Sequence, residues 1–295
     1  MATSSRNIIL ATLLAALSLL CCLVYAYFIE PFRLVVNQQQ LNVDGWDPEF
    51  NGFRAVLISD IHGGSRGGDV ESIERIVETA NTQNPDAIFL LGDYVSTESD
   101  RRTIKMPMPE IANILGGLRA KRGVFAVLGN HDGWFGRQSV AAELERVGIT
   151  VLDGKVSEIA NNGHVLRIIG LRDHMQIVDW EGFSADAKQM LAAGEGTGNV
   201  IALEHSPDVL PGITGDLAIS RDLKLMFAGH THGGQLWLPV FGYPAIPSSY
   251  GQKYAAGYVR DFGVEMFVTT GTGTSILPFR FLVPPEIAVI RIDAK

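Results

Sequence analysis

Cysteine is scarce in this chain. Of 295 residues only Cys21 and Cys22 carry a thiol, and they stand side by side inside an apolar run. Two adjacent thiols leave nothing with which to build a disulfide framework or a cysteine zinc site. Positive charge is also short: 24 Lys and Arg against 32 Asp and Glu give a formal charge of −8, which argues against a nucleic-acid partner. With 46% hydrophobic and 19% charged residues the composition excludes an intrinsically disordered chain. There is no low-complexity linker and no internal repeat.

A single long apolar run is present. From Ile8 to Ile29 lie 22 residues without a charge, and at about 1.5 Å per residue a helix of that length reaches roughly 33 Å, enough to cross a bilayer core. The competing reading, a cleaved secretory signal, fits less well. The run exceeds the usual apolar region of about 7 to 15 residues, and no A-x-A-like site follows it. No twin-arginine pair is present, and no small residue stands directly before Cys21 to make a lipoprotein site. The sequence therefore predicts an N-terminal stub and membrane anchor over 1–29, followed by one domain over 30–295. Arg6 and the terminal amine before the anchor, against Glu30 and Arg33 after it, place the domain outside the cytoplasm. Oligomeric state is not legible.

Within 30–295, short β-rich runs alternate with helical patterns. Arg54–Ser59, Ala87–Leu91, Val124–Leu128, Val165–Ile169, Val200–Leu203 and Leu223–Ala228 read as buried strands. Helices are expected at Val70–Asn81 and Pro109–Leu118, a turn at Asn84-Pro85-Asp86, and a hairpin tip at Asn161-Asn162-Gly163. The fold class is α/β with a mixed sheet arrangement.

Polar groups follow five of these strands directly: Asp60 and His62, then Gly92-Asp93, then Gly129-Asn130-His131-Asp132, then His205, then Gly229-His230-Thr231-His232. The crevice outside the carboxyl ends of strands is where α/β sheets bind ligands, so the five loops can converge. Residues i and i+2 on an extended backbone point the same way, which would let Asp60 pair with His62, and His230 with His232, at one place. Mixed carboxylate, amide and imidazole donors suit Mn²⁺, Fe or Zn²⁺. Taken singly, an Asp-x-His or a Gly-Asp is usually an incidental turn. Five such elements, each after a strand and together holding five of the seven histidines, are not explained as independent turns. The other two, His164 and His174, read as surface residues.

This ordered set, Asp-x-His, Gly-Asp, Gly-Asn-His-Asp, His and Gly-His-x-His, resembles the calcineurin-like metallophosphoesterase superfamily. Gly229-His-Thr-His-Gly-Gly-Gln235, Gly271–Arg280 and Pro284-Pro-Glu-Ile287 are similar to its bacterial membrane-associated YkuE-like or YaeI-like branch. The resemblance implies a four-layer αββα sandwich of two mixed sheets after a transmembrane helix, and two divalent metal ions. Asp60, His62 and His232 would hold the first, Asp93 would bridge, and Asn130, His205 and His230 would complete the second. A water between the metals would attack phosphorus. His131 would stabilise the transition state or protonate the leaving oxygen, with Asp132 orienting it. The expected substrate is a phosphodiester or pyrophosphate-type bond of an envelope, lipid-linked or nucleotide-linked metabolite. The alternatives are a phosphomonoesterase and a non-catalytic metal-binding scaffold or sensor. Gly92-Asp-Tyr-Val-Ser-Thr lacks the Asp-Arg-Gly of the protein serine/threonine phosphatases, and Gly129-Asn-His-Asp lacks their Glu, which disfavours phosphoprotein substrates. Leu236–Tyr258, rich in aromatics, Pro and Gly, reads as a packed loop over the metals or as an apolar lip for a lipid-linked phosphate.

Overall fold

A computed structural model describes residues 2–194 and 196–295. The apolar run forms α1 (Ala2–Val24), continued by a π turn at Tyr25–Ile29 and a 3-10 turn at Glu30–Phe32. Within Arg6–Phe32 the most apolar 18-residue window has a mean hydropathy of 2.6 and none of that window is buried, whereas Ala26, Glu30 and Pro31 at its foot are buried against the domain.

The first half of the domain then runs β1 (Val35–Val43), β2 (Phe53–Ile58), α2 (Val70–Thr82), β3 (Ala87–Leu90), α3 (Met108–Leu115), β4 (Val124–Ala126), α4 (Asn130–Arg146) and β5 (Thr150–Val151). The second half runs β6 (Lys155–Asn161), β7 (His164–Gly170), α5 (Trp180–Ala193), β8 (Val200–Leu203), β9 (Leu223–Ala228), β10 (Gly257–Asp261), β11 (Val264–Val268) and β12 (Glu286–Ala294). Two six-stranded mixed sheets result, in the orders β1-β12-β2-β3-β4-β5 and β10-β11-β9-β8-β7-β6. The last strand crosses back to lie parallel to β1 and antiparallel to β2.

Three apolar layers hold this together. Leu57, Phe89 and Phe125 of the first sheet meet Ile168, Leu203 and Phe227 of the second between the sheets. Ile76, Ile111 and Leu144 from α2, α3 and α4 cover the outer face of the first sheet, and Ala187 and Leu191 of α5 cover the second. The architecture is thus αββα. Strands β3 and β8 are buried along their whole length, because helices and the opposite sheet cover both faces. Hence they read as unbroken apolar runs.

The predicted strands and helices are present, with ends moved by at most three residues, the largest shift being α3, which stops at Leu115 rather than Leu118. Asn162 and Gly163, at φ +47° and +86°, turn β6 into β7 with Asn161 opposite His164, the left-handed pair a tight hairpin requires. Asp69 caps α2, its carboxylate accepting from the Ser72 N–H at 2.8 Å. The main departure is Gly129-Asn130-His131-Asp132. It is not a free loop, since Asn130, His131 and Asp132 form the first turn of α4, which bends at Gly136.

Candidate metal centre

Strands β2, β3 and β4 deliver Asp60, His62, Asp93, Asn130 and His131 from one sheet, and β8 and β9 deliver His205, His230 and His232 from the other. Their side chains meet in three overlapping groups whose donor atoms lie within 4.8 Å of one another: Asp60–His62–His232, His62–Asp93–His131 and Asp93–His205–His230.

The i, i+2 expectation needs correcting. The backbone is not extended at these positions: Asp60, His62, Asp93, His230 and His232 have φ of +54°, +44°, +56°, +68° and +51°. Asp60 and His62 still converge, but His230 and His232 separate, one into each half of the cluster. A left-handed residue after β2, β3 and β9 turns the chain sharply there, whereas the segments after β4 and β8 carry none. Non-glycine residues in this region cost on the order of 1–3 kcal/mol each, and such strain collects at functional sites. Two glycines permit the crowding: a Cβ on Gly129 would overlap Asp93 Oδ1, and one on Gly229 would overlap Ser59 Oγ.

Each carboxylate is held by one oxygen and offers the other. Asp60 Oδ2 accepts the His230 N–H at 3.0 Å, while Oδ1 lies 3.2 Å from His232 Nε2 without a hydrogen-bond partner. Asp93 Oδ1 accepts the His131 N–H at 2.8 Å, while Oδ2 lies 3.5 Å from His62 Nε2 and 3.3 Å from His205 Nε2. The His205 Nδ1–H is positioned to donate to the Leu91 carbonyl at 2.8 Å, which leaves Nε2 as the free donor atom. Imidazole nitrogens face one another at 3.1 Å twice, His62 Nε2 with His232 Nε2 and His230 Nδ1 with His205 Nε2. The buried Asn130 Oδ1 is also unpartnered. Orphaned buried oxygens are costly unless a cation fills the space beside them, and the facing ring nitrogens can turn their lone pairs to the same cation. The donor set therefore fits hard or borderline divalent ions.

Electrostatics agree with ligation at His62, His230 and His232. Burial holds His62 down to about 3 and His230 to about 4, and burial with the Arg280 charge keeps His232 well below its usual range, so these rings keep their lone pairs. Burial alone would raise Asp93, but the His205, His131 and His62 rings hold it well below the usual carboxylate range. His205 is opposed by burial yet held up by Asp93.

Asp132 does not orient His131. Its buried carboxylate accepts backbone N–H bonds from Asp93 (2.8 Å), Tyr94 (2.9 Å) and Gly129 (2.9 Å), tying the β3 and β4 loops together. His131 Nδ1 instead pairs with Thr97 Oγ1 at 3.0 Å, and its ring packs edge-on to His62 and against Trp134. His164 is exposed and pairs with Asp47 at 2.6 Å, as a surface residue should. His174 is not a plain surface residue: it is largely covered, its ring 5.4 Å from that of His230 and beside buried Asp173 and Glu204. Burial raises Glu204 to about 8.

Sequence reasoning assigned no role to Thr97 or to buried Arg280. The guanidinium of Arg280 donates to the carbonyls of Thr270 and Gly273 and lies 3.4 Å from His232 Nδ1. The Leu236–Tyr258 stretch divides. Tyr243 and Ala245 pack on Gly233 and Gly234 behind His232, whereas Val240 and Phe241 stand in solvent.

A dinuclear-type donor cluster at the carboxyl edge of an αββα sandwich defines a metal-dependent phosphoester hydrolase. The calcineurin-like phosphoesterase model matches residues 53–234, more than half of the chain, and the chain belongs to that family of divalent-metal hydrolases. It is 29% identical over 273 residues to the metallophosphoesterase YkuE of Bacillus subtilis, covering 92% of this chain and 89% of that one. It is 27% identical over 273 residues to the phosphodiesterase YaeI of Escherichia coli, covering 91% and 92%. A Danio rerio transmembrane protein with a metallophosphoesterase domain is 27% identical over 299 residues, covering 97% of this chain and 63% of that protein.

Proposed function

We propose that this protein is a membrane-anchored phosphoesterase that cleaves phosphodiester or pyrophosphate-type bonds with two divalent ions. Asp60, His62 and His232 would hold one ion, Asn130, His205 and His230 the other, and Asp93 would bridge them. The observation that carries the reading is the split of donors into two groups around Asp93, with Asp60 Oδ1 and Asn130 Oδ1 buried and unpaired. Two divalent ions so held neutralise phosphoryl oxygens and make a water acidic enough to attack near neutral pH.

The protein's own groups supply the rest. Burial keeps His131 largely unprotonated. When the Thr97 hydroxyl donates to Nδ1, the Nε2–H is left to stabilise charge on the departing oxygen. Asn130 adds a donor without adding negative charge, so the site stays electrophilic. Arg66, Arg101 and Lys105 line the same mouth as His131. Three cations beyond the scissile position suit a second phosphate or an anionic leaving group, which favours a diester or pyrophosphate over a simple monoester. The substrate would be an envelope, lipid-linked or nucleotide-linked phosphate. The membrane would be the cytoplasmic one, with the domain on its outer side.

The test is hydrolysis by the detergent-solubilised full chain of bis-(p-nitrophenyl) phosphate and p-nitrophenyl phosphate, with Mn²⁺, Zn²⁺, Fe²⁺ or chelator, alongside elemental analysis. Two ions per chain and chelator-sensitive turnover favouring the diester are expected. Undiminished turnover in chelator, or at most one ion per chain, would overturn the dinuclear reading.

A further inference from the structure

The end of α1 is fastened to the rim of the metal site. The Arg280 N–H donates to the Ala26 carbonyl at 3.1 Å, and the Leu282 N–H donates to Glu30 Oε2 at 2.8 Å. Tyr25 packs edge-on to Phe281, and Arg66 donates to the Tyr27 carbonyl with its guanidinium 3.7 Å from the Tyr27 ring centre. Arg66 and residues 274–278 also line the mouth that His131 faces. A helix that leaves a domain through such contacts has no slack linker, so a bilayer around α1 must lie beside that mouth.

Two loops on the same rim expose bulky apolar side chains. Val240 is 97% exposed, Phe241 75%, Ile276 99% and Leu282 45%. The loops are joined: the Trp237 N–H donates to the Phe281 carbonyl at 2.9 Å, and Leu236 bridges to Phe281. Val240 and Ile276 are β-branched yet hold φ of +76° and +57°, a conformation such residues avoid. Scattered exposed apolar residues are ordinary, but a group continuous with the foot of a membrane helix marks an interaction surface.

We infer that residues 237–241 and 276–282 sit in the bilayer interface as a second membrane contact, so that the mouth of the metal site opens onto the lipid surface. The inference rests on reading α1 as a membrane helix. The occupant is lipid rather than a protein partner, because the surface continues that of α1 and its foot carries the same aromatic and arginine mixture, Tyr25, Tyr27, Phe28 and Arg66, that anchors at headgroup depth. The reacting phosphates would then be those presented at headgroup level, within reach of Arg66, Arg101 and Lys105.

Depth-dependent quenching tests this in the full chain, reconstituted in phosphatidylethanolamine–phosphatidylglycerol vesicles. In a Cys21→Ser, Cys22→Ser background, an environment-sensitive fluorophore is placed singly by Val240→Cys, Ile276→Cys, Leu14→Cys within α1, or Arg221→Cys. Arg221 precedes β9, at the end of the sheet opposite the site. Lipid-borne nitroxide should quench the Val240 and Ile276 probes at least about twofold more than the Arg221 probe, as for interface-buried residues. If those two are as open to aqueous iodide as the Arg221 probe while the Leu14 probe is protected, the loop contact is refuted and the anchor stands. If the Leu14 probe is also wet, the anchor reading falls and the inference with it. Loop probes shielded from iodide but not quenched by lipid nitroxide would show a protein cover and would also overturn it.

Discussion

At the scale of single residues, neighbours with similar chemistry have opposite work. His131 sits within ligand distance of His62 and Asp93, so a metal role and a leaving-group role must be separated by experiment. His131→Ala should lower turnover by about 10²–10⁴-fold while elemental analysis still finds two ions per chain. Loss of the ions would reassign His131 as a ligand. The Asp132 carboxylate accepts from four backbone N–H groups, those of Asp93, Tyr94, Val95 and Gly129, and makes no hydrogen bond to the imidazole. Asp132→Ala would orphan those buried donors at about 1–3 kcal/mol each. Thermal melting should therefore fall steeply in Asp132→Ala and stay near the parent in His131→Ala. The reverse ranking would restore Asp132 to the catalytic group. Asp132 was legible as a motif position but not in its role, because an Asp beside a His in sequence need not face it once both lie on a helix turn.

Elements explain why the site assembles, and which parts of it can be read from sequence. Strands covered on both faces, such as β3 and β8, announce themselves as apolar runs, and the polar residue after each run is the donor. Strand β1 is hidden because its Gln and Asn side chains reach partners in β12, Asn37 to Glu286 and Gln40 to Asp293, which erases the alternation. Helix α4 is hidden because its first turn carries Asn130, His131 and Asp132, and Gly133 and Gly136 follow before Val140 reaches the core. Thr97, Glu204 and Arg280 come from loops without periodic signal, so only three-dimensional proximity finds them. What the motif cannot show is how tightly the loops pass one another. Gly129 runs against Asp93 with no room for a methyl group, so Gly129→Ala should displace the Asp93 carboxylate. A loss of about 10–100-fold in metal affinity or turnover is expected, the usual size when support for a ligand is disturbed. Metal titration followed by calorimetry measures it, and an unchanged affinity would mean that Asp93 has freedom the packing denies.

For the whole molecule, the cluster joins two sheets whose shared interior is a layer of apolar side chains. Asp60, Asp93 and Asn130 follow strands of one sheet and His205, His230 and His232 strands of the other, so cations held among them would act as staples across the sandwich. Ions at about 100 times their Kd stabilise by about 2.7 kcal/mol per site, and in a domain of this size a chelator should lower Tm by roughly 5–10 °C. Acid should then act on the chelated protein in a definite direction. His62 and His230 are held to about 3 and about 4, and His232 well below its usual range. Below the ordinary imidazole pKa of about 6.5 the unfolded chain takes up protons that these buried rings refuse. Its larger proton uptake makes stability fall as pH falls through that window. His205 and His174 work the other way, as do the buried Asp132 and Glu204 carboxyls, raised to about 7 and about 8, so the share of a buried neutral ring is read by difference. Calorimetry of the chelated proteins should thus show the parent's Tm falling relative to that of His230→Gln between pH 7 and 4.5. The gap to the metal-loaded protein should be widest near neutrality and close in acid as protons displace the ions from their ligands. A parent Tm that rose relative to His230→Gln on acidification would contradict the burial of that ring, and loaded and chelated proteins melting together at pH 7 would mean that no ion bridges the sheets.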